Sequence, residues 1–145
     1  MHVLVTSDTL SGTWTYTREM VTGLVTRGVQ VTLVSFGEIP LPEQTAWMDN
    51  LHGLDYRPTA FRLEWMQEAE RDLPDSSRFL AALVQELRPD VLHLNQFCYG
   101  DLPVDVPRVE SGAPGAAAGA AVRVLLSAQA RGAGAGYAGA DGEWR

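Results

Sequence analysis

Hydrophobic residues near the start of the chain follow two spacings: short continuous runs, and runs that repeat about every 3.6 residues. Residues 2–7 (HVLVTS) and 29–36 (VQVTLVSF) are continuous and rich in valine, which is typical of strands buried on both faces of a parallel sheet. Between them, residues 14–27 place their apolar side chains on one helical face, and Gly28 follows where a helix commonly ends. The pattern predicts a right-handed βαβ unit.

The pattern after residue 36 predicts further elements with less regular spacing. Pro42 opens a short helix whose buried side chains would be those of Trp47, Met48 and Leu51. Residues 57–61 then predict a third strand, although the proline within it is unusual for a strand. Helical propensity is high across residues 64–72.

Residues 76–88 (SSRFLAALVQELR) carry the clearest helical pattern, with Asp75 or Ser76 as the cap and Pro89 as the end. Its apolar stripe consists of Phe79, Leu80, Leu83, Val84 and Leu87. Residues 90–97 predict a further buried strand, and residues 106–109 the opening of another. Together these elements predict an α/β fold, a Rossmann-like open parallel sheet with helices on both faces.

The composition of the chain changes sharply near residue 109. Residues 1–108 hold eight arginines and fifteen acidic residues, whereas 19 of the 30 residues at 111–140 are alanine or glycine. Glycines weaken a helix by roughly 1 kcal/mol each, and so few bulky apolar residues do not offset the entropy of ordering. We expect one domain over residues 1–109, followed by a disordered or weakly helical tail over residues 110–145.

Charge and cysteine content exclude several classes of function. The formal net charge is −7, which disfavours binding to nucleic acid. All eleven basic residues are arginines. The single cysteine, Cys98, rules out an internal disulfide and a multi-cysteine metal site. Neither a signal peptide nor the roughly 18 apolar residues of a membrane span are present, so we expect a cytoplasmic protein without a transmembrane segment.

In a doubly wound sheet, ligands bind beyond the carboxyl ends of the strands. The first such connection, residues 8–13, contains Gly12 and Thr13 just before the predicted helix, where exposed N–H groups favour an anion. Two interpretations fit this connection. Gly12 allows a ligand to approach the backbone, or Ser11 or Thr13 simply caps the helix while Gly12 makes the turn.

The strand predicted over residues 90–97 ends in an unusually polar segment. His93, Asn95, Gln96 and Tyr99 follow one another there, which is more than a turn requires. His93 could line a ligand site or be a hydrogen-bonded core histidine. Cys98 is interpreted as an inert thiol. No cluster has metal-ligand spacing.

Three stretches, in this order, resemble the N-terminal domain of retaining GT-B glycosyltransferases of family 4, also called group 1. They are residues 2–35 (HVLVTSDTLSGTWTYTREMVTGLVTRGVQVTLVS), 61–66 (FRLEWM) and 87–97 (LRPDVLHLNQF). The resemblance covers residues 1–109 and implies the acceptor-side half of a GT-B fold. It also implies transfer of a sugar from a nucleotide-sugar donor, with no cofactor besides that donor.

The resemblance carries specific residues with it. Gly12 and Thr13 match a first loop that approaches the donor phosphates or the acceptor, and His93 matches a histidine that lines the cleft. Two departures are Ser11, where the family often has a second glycine, and Asn95, where it often has a second histidine. We expect donor or acceptor contacts at Gly12, Thr13, His93, Asn95 and Gln96, and assign no catalytic or metal-binding residue.

The resemblance also indicates what this chain does not contain. The family's nucleotide-sugar site and its two glutamates, eight positions apart, lie mainly in a C-terminal domain. No glutamate in this chain is followed by another eight positions later. We therefore expect a truncated enzyme that is inactive alone. A frameshift near residue 109 is one explanation that would produce the alanine- and glycine-rich residues 110–145.

Two other interpretations remain open. One is a non-catalytic Rossmann-like module that binds a nucleotide or a protein partner. The other is a small nucleotide-dependent oxidoreductase, which the missing Gly-x-Gly-x-x-Gly fingerprint disfavours. An early end to the sheet would also expose a strand edge and promote self-association.

Overall fold

The computed structural model describes residues 1–99, 102 and 123–126. Within them, parallel strands form a sheet in the order β3-β2-β1-β4-β5. The strands are β1 (His2–Asp8), β2 (Gln30–Phe36), β3 (Leu54–Pro58), β4 (Val91–Leu94) and β5 (Arg123–Leu126). The chain direction across the sheet reverses between β1 and β4, which is the switch point where open α/β sheets bind ligands.

Helices cover both faces of this sheet, as predicted. The helices are α1 (Ser11–Val25), α2 (Pro42–Thr45) and α3 (Ala69–Leu87), with 3₁₀ turns at Ala46–Met48 and Phe97–Tyr99. Successive residues of β1 point to opposite faces of the sheet. Val3 and Val5 belong to the hydrophobic cluster that includes α1, whereas Leu4 belongs to the cluster that includes α3. The predicted doubly wound α/β fold is therefore confirmed.

Each face has its own hydrophobic core. The predicted stripe of α3 packs on one face, where Leu80, Leu83 and Val84 are buried and the other two members are partly buried. The opposite face buries Trp14 and Val21 of α1. The segment that follows α2 packs against this second core through Trp47, Met48 and Leu51, the side chains predicted to be buried there.

Helix α1 begins earlier than the sequence pattern predicts. Residues 8–13 were expected to form a loop before a helix starting at residue 14, but Ser11 is already helical. The Asp8 carboxylate accepts the backbone N–H of Leu10 at 2.9 Å, which fixes a very short connection after β1. Leu10 is the N-cap residue, so neither Ser11 nor Thr13 occupies the N-cap position.

Helix α3 also differs from its prediction, because it starts at Ala69 and continues through Pro74. The expected cap at Asp75 or Ser76 is therefore wrong: Ser76 is buried inside the helix, and its hydroxyl donates to the carbonyl of Leu73. Contacts before the proline hold the first turns in place. The Asp72 carboxylate accepts the backbone N–H and a guanidinium N–H of Arg62.

Three strand predictions need adjustment. The third strand lies at Leu54–Pro58 rather than at residues 57–61. The fourth strand ends at Leu94 because the backbone N–H of Asn95 donates to the side-chain hydroxyl of Thr6 on β1 instead of to a backbone carbonyl. A fifth strand, Arg123–Leu126, pairs with β4 inside the segment expected to be disordered or weakly helical. The strand predicted at residues 106–109 lies outside the described residues.

Strand β3 forms one edge of the sheet, as its place in the strand order shows. Asp55 and Arg57 lie on this strand, with 2.9 Å between the carboxylate and the guanidinium, and Pro58 ends it. Charged side chains and proline are features that protect edges from pairing with other chains. Self-association through the edge stays a prediction. No helix in the described part of the chain is long and apolar enough to cross a bilayer.

Pro74 gives a direct test of how α3 is held together. Proline in a helix interior lacks the N–H that would bond to the carbonyl four residues earlier, here that of Glu70. We expect Pro74→Ala to raise the free energy of unfolding by about 2 kcal/mol, measured by urea denaturation, because the restored bond exceeds the entropy gained by the unfolded chain.

Pro42 supplies the matched control. It occupies the first position of α2, where the missing N–H has no helical partner. Pro42→Ala should leave stability unchanged or lower it by up to about 1 kcal/mol. Equal effects of the two substitutions would contradict the continuous helix.

Candidate functional site

The candidate site lies where the strands end at their carboxyl termini, on both sides of the switch point between β1 and β4. We call this region the carboxyl edge, as distinct from the edge strand β3. Strand β1 ends at Asp8, and α1 begins three residues later at Ser11. Next to β1, strand β4 ends at Leu94, and Asn95 and Gln96 follow directly. The two strands thus bring residues 8–13 and 93–96, which the sequence singled out separately, to neighbouring positions.

A buried hydrogen-bond network joins these elements beneath the edge. The amide nitrogen of Asn95 donates to the carbonyl oxygen of Thr6 at 2.6 Å and reaches the hydroxyl of Thr17 at 3.5 Å. The Thr17 hydroxyl lies 2.9 Å from the hydroxyl of Ser7. This network ties α1 to the ends of β1 and β4, which fixes the N-terminus of α1 over the switch point.

Asn95 was expected to contact a donor or an acceptor, and the structure shows a further role for it. Its amide nitrogen is occupied within the protein, while its Oδ1 has no hydrogen-bond partner among the described residues. Thr17 was missed by the sequence reasoning. The available signal was a small polar residue at a position where α1 faces the sheet, and Thr17 is fully buried there.

His93 lies on β4, half-buried, beneath the ring of Tyr16 from α1. The two ring centroids are 6.4 Å apart and the planes are tilted by 34°. Nε2 of His93 is buried without a hydrogen-bond partner in the described part of the chain. Burial lowers the pKa of His93 below its ordinary value of 6.5, while the Asn95 side chain acts in the opposite direction. The imidazole is therefore neutral near pH 7.

Gln96 is the most isolated polar side chain of the site. Only 5% of it is exposed, yet neither Oε1 nor Nε2 has a partner among the described residues. Buried amide groups are normally hydrogen-bonded, because desolvation without a partner costs about 1–3 kcal/mol. Of the five buried side-chain polar atoms without a partner in the described residues, four belong to His93, Asn95 and Gln96, and the fifth is Nε1 of Trp47.

Gly12 and Thr13 lie in the first turn of α1 rather than in a loop. Gly12 is exposed, and a Cβ added to it would have no atom within 4 Å, so packing within the described residues does not require glycine here. Thr13 lies beside Asp8, and burial raises the pKa of the Asp8 carboxyl. Hydrogen bonds from the Leu10 N–H and from the Thr13 side chain oppose this rise, whereas the nearby Glu64 carboxylate adds to it. The first turn of α1 carries no acidic side chain.

Packing and a backbone hydrogen bond account for Gly37 and Glu38 in the connection after β2. Gly37, with φ of 91°, packs under Leu63: an added Cβ would lie 3.1 Å from that side chain. Glu38 is exposed in a turn, and its carbonyl accepts the Thr9 hydroxyl. Burial and the neighbouring Glu64 raise the pKa of the Cys98 thiol, which fits its interpretation as an inert thiol.

The site contains no grouping suited to a metal ion. Within residues 1–99, 102 and 123–126, no three His, Cys, Asp or Glu side chains lie close enough together to hold one. What the edge offers instead is a neutral imidazole, an amide with a free donor and a free acceptor, and the exposed N–H groups of a helix N-terminus. Groups of this kind are suited to hydrogen bonding rather than to metal coordination.

The doubly wound parallel sheet defines the chain as a Rossmann-like α/β domain. Comparison with protein families then identifies the family. The chain belongs to the glycosyl transferase 4-like domain family, whose model matches residues 11–145. The match includes strand β5 and extends on both sides of residue 109.

Comparisons with individual proteins find similar solved structures. No curated protein matches the chain. Among solved structures, the crystal structure of the glycotransferase of kitacinnamycin is 24% identical, with a TM-score of 0.49, and the match covers 68% of this chain and 25% of that one. The chain thus spans a quarter of the length of that structure.

Thr17 provides a test of the buried network. Thr17→Val keeps the shape of the side chain but removes the hydroxyl shared by Ser7 and Asn95. We expect a loss of about 1–2 kcal/mol in the free energy of unfolding, measured by urea denaturation. Thr15→Val is the control, because Thr15 is exposed on the same helix and its replacement should change stability by less than about 0.5 kcal/mol. Equal losses would contradict the network.

His93 gives a prediction of pH dependence. Because its pKa is lower in the folded chain than the ordinary 6.5, the unfolded chain takes up the proton more readily as the pH falls. His93 therefore contributes stability that is present above pH 6.5 and is lost as the pH falls through the folded pKa. Below pH 6.5, His93→Gln should reduce the slope of the free energy of unfolding against pH by up to about 1.4 kcal/mol per pH unit.

An NMR titration measures the same effect directly. The ring signals of His93, assigned by their absence from His93→Gln, should titrate with a midpoint below 6.5. A midpoint at or above that value would show that the imidazole is better hydrated or better paired than its burial indicates.

Proposed function

We propose that this glycosyltransferase-like domain is the acceptor side of an enzyme that transfers a sugar from a nucleotide-sugar donor to an acceptor. The observation that carries the proposal is the set of unpartnered buried polar atoms on His93 and Gln96 at the carboxyl edge of the sheet. A hydroxyl-bearing ligand would supply both a donor and an acceptor to these groups. Hydrogen bonds from such a ligand would offset the desolvation cost of these buried polar groups and so favour binding.

Charge at the edge supports an acceptor rather than a diphosphate as the main ligand. The connections at residues 8–10, 37–41, 59–68 and 95–99 contain four carboxylates and one arginine, Arg62, which is engaged by Asp72. A leaving diphosphate needs preorganised positive charge. The N-terminus of α1, with Gly12 exposed in its first turn, is the one feature of the described edge that suits a phosphate.

We further propose that residues 1–145 do not transfer a sugar alone, and that the donor is held mainly by a part of the enzyme that this chain lacks. The support is the imbalance of charge at the edge and the absence of any pair of glutamates eight positions apart. No cofactor besides the nucleotide sugar enters the proposal. In this proposal residues 1–109 form the acceptor-side domain, and strand β5 extends the sheet of that domain beyond residue 109.

Titrations of the isotopically labelled chain, followed by NMR, test the proposal. Simple glycosides such as methyl glucoside should shift the amide signals of residues 12–13 and 93–96. Gln96→Leu and His93→Ala should each weaken this binding at least tenfold, because they remove the free hydrogen-bonding groups. Gln85→Leu and His52→Ala are matched controls, since both side chains are exposed outside the site.

Two outcomes would count against the proposal. Glycosides that shift no signal at residues 93–96 would remove the acceptor site. Tight binding of a free nucleotide or of NAD, at those residues and independent of any sugar, would favour the alternative of a non-catalytic nucleotide-binding module or an oxidoreductase.

A further inference from the structure

Exposed hydrophobic side chains are distributed very unevenly over the described part of the molecule. The large ones are Met1, Tyr16, Ile39, Leu41, Trp65 and Leu73. Apart from Met1, all of them lie in the connections that lead from a strand to the next helix, or in the first two turns of those helices. The connections from a helix to the next strand, residues 26–29, 49–53 and 88–90, contain none.

This asymmetry places the exposed apolar surface on the side of the sheet where the candidate site lies. In a parallel sheet, every strand-to-helix connection is at the carboxyl edge, and every return connection is at the amino edge. Exposed apolar residues scattered at random would appear at both edges. Their concentration at one edge indicates a surface that is covered by a ligand or a partner.

A cleft gives this surface a definite shape. Leu73 and Ala69 of α3 line it together with Arg62, Glu64, Glu70 and Cys98, and its volume is 160 Å³. A cavity of about 150 Å³ holds a benzene ring, so the cleft has room for one aromatic ring or a short alkyl segment. Trp65, of which 54% is exposed, lies in the same segment of chain.

The cleft is joined to the candidate site through Glu64. Its carboxylate accepts the backbone N–H of Cys98 at 3.1 Å, two residues after Gln96. The same carboxylate contributes to the raised pKa of Asp8 at the end of β1. Glu64 is thus close to the ends of β1 and β4, and the cleft, which Cys98 also lines, lies beside the connection that carries Gln96.

Charge limits what this surface can accept. The carboxylates in its connections are those of Asp8, Glu38, Glu64 and Glu68, and the single arginine there is paired with Asp72. An anionic ligand would approach these carboxylates without a free cation in the described connections to offset the repulsion. An uncharged ligand meets no such penalty.

We infer that the acceptor is an uncharged amphiphile, with a hydroxyl-bearing head at His93 and Gln96 and an aromatic or aliphatic body on Trp65 and the Leu73 cleft. The inference rests on the proposed function and adds the chemical class of the acceptor. The apolar body supplies binding area, and the head supplies the hydrogen bonds that orient the reacting hydroxyl.

Two probes with alkyl chains of similar length, and one short glycoside without such a chain, test the inference on the isotopically labelled chain. Octyl β-glucoside should shift the indole N–H signal of Trp65 together with the amide signals of residues 93–96. Octanoate, with the same apolar length and a negative charge, should bind at least tenfold more weakly. Methyl glucoside, which lacks the apolar body, should shift residues 93–96 but not Trp65.

Variants separate the apolar and the electrostatic contributions. Trp65→Ala should weaken octyl β-glucoside at least tenfold and leave methyl glucoside unchanged. Glu64→Gln keeps an oxygen acceptor for the Cys98 N–H but removes the charge, so it should strengthen the binding of octanoate relative to that of octyl β-glucoside.

Several results would overturn the inference and leave the proposed function standing. They are octanoate binding as tightly as octyl β-glucoside, and octyl β-glucoside leaving Trp65 unaffected while methyl glucoside still shifts residues 93–96. A Trp65 signal that depends on protein concentration without ligand would show that a second copy of the chain covers the surface. Loss of every glycoside response would instead remove the proposed function itself.

Discussion

The hydroxyl of Thr17 is the contact on which the carboxyl edge depends. It joins Ser7 on β1 to the Asn95 amide after β4, so one buried group on α1 fixes the two strand ends at the switch point. A helix packed by apolar contacts alone could slide along the sheet, because dispersion and hydrophobic burial are not directional. The directional bonds of this network set where the first turn of α1 stands, and with it Gly12 and Thr13.

The fold could be predicted from the sequence where burial alone determines structure. The two valine-rich strands, the helix between them and the stripe of α3 follow from periodicity, since each has a continuous apolar face to bury. The start of α1 and the passage of α3 through Pro74 could not be predicted in this way. The start of α1 depends on Asp8 accepting the Leu10 N–H, a local side-chain bond that hydrophobic periodicity does not reveal. The passage of α3 through Pro74 is supported by Asp72 binding Arg62, which is a contact between segments. The same holds for β5, which exists because β4 offers it a partner.

The candidate site could also be predicted only in part from the sequence. The topology of a parallel sheet places any polar residue at a strand end near the ligand edge, which is why His93 and Gln96 could be selected from the sequence. Asn95 shows the limit of that reasoning, because part of its amide is used within the protein. Thr17 was missed because a single small polar residue within a helix is a weak signal in the sequence. The cleft beside Leu73 was not predictable, since it is formed jointly by α3, the connection after β3 and Cys98.

Under the proposed function, an acidic and partly apolar edge would suit one half of a sugar-transfer site. The reacting acceptor hydroxyl is neutral, and hydrogen bonds to it strengthen as apolar surface excludes water around it. The leaving diphosphate has the opposite need, because its developing charge must be met by cations or helix N-termini. One surface cannot serve both demands well, since carboxylates such as Asp8 and Glu64 that tolerate a neutral acceptor repel a diphosphate. Physical separation of the two binding tasks onto facing surfaces resolves that conflict, and the charge of this edge suits the acceptor's side of it.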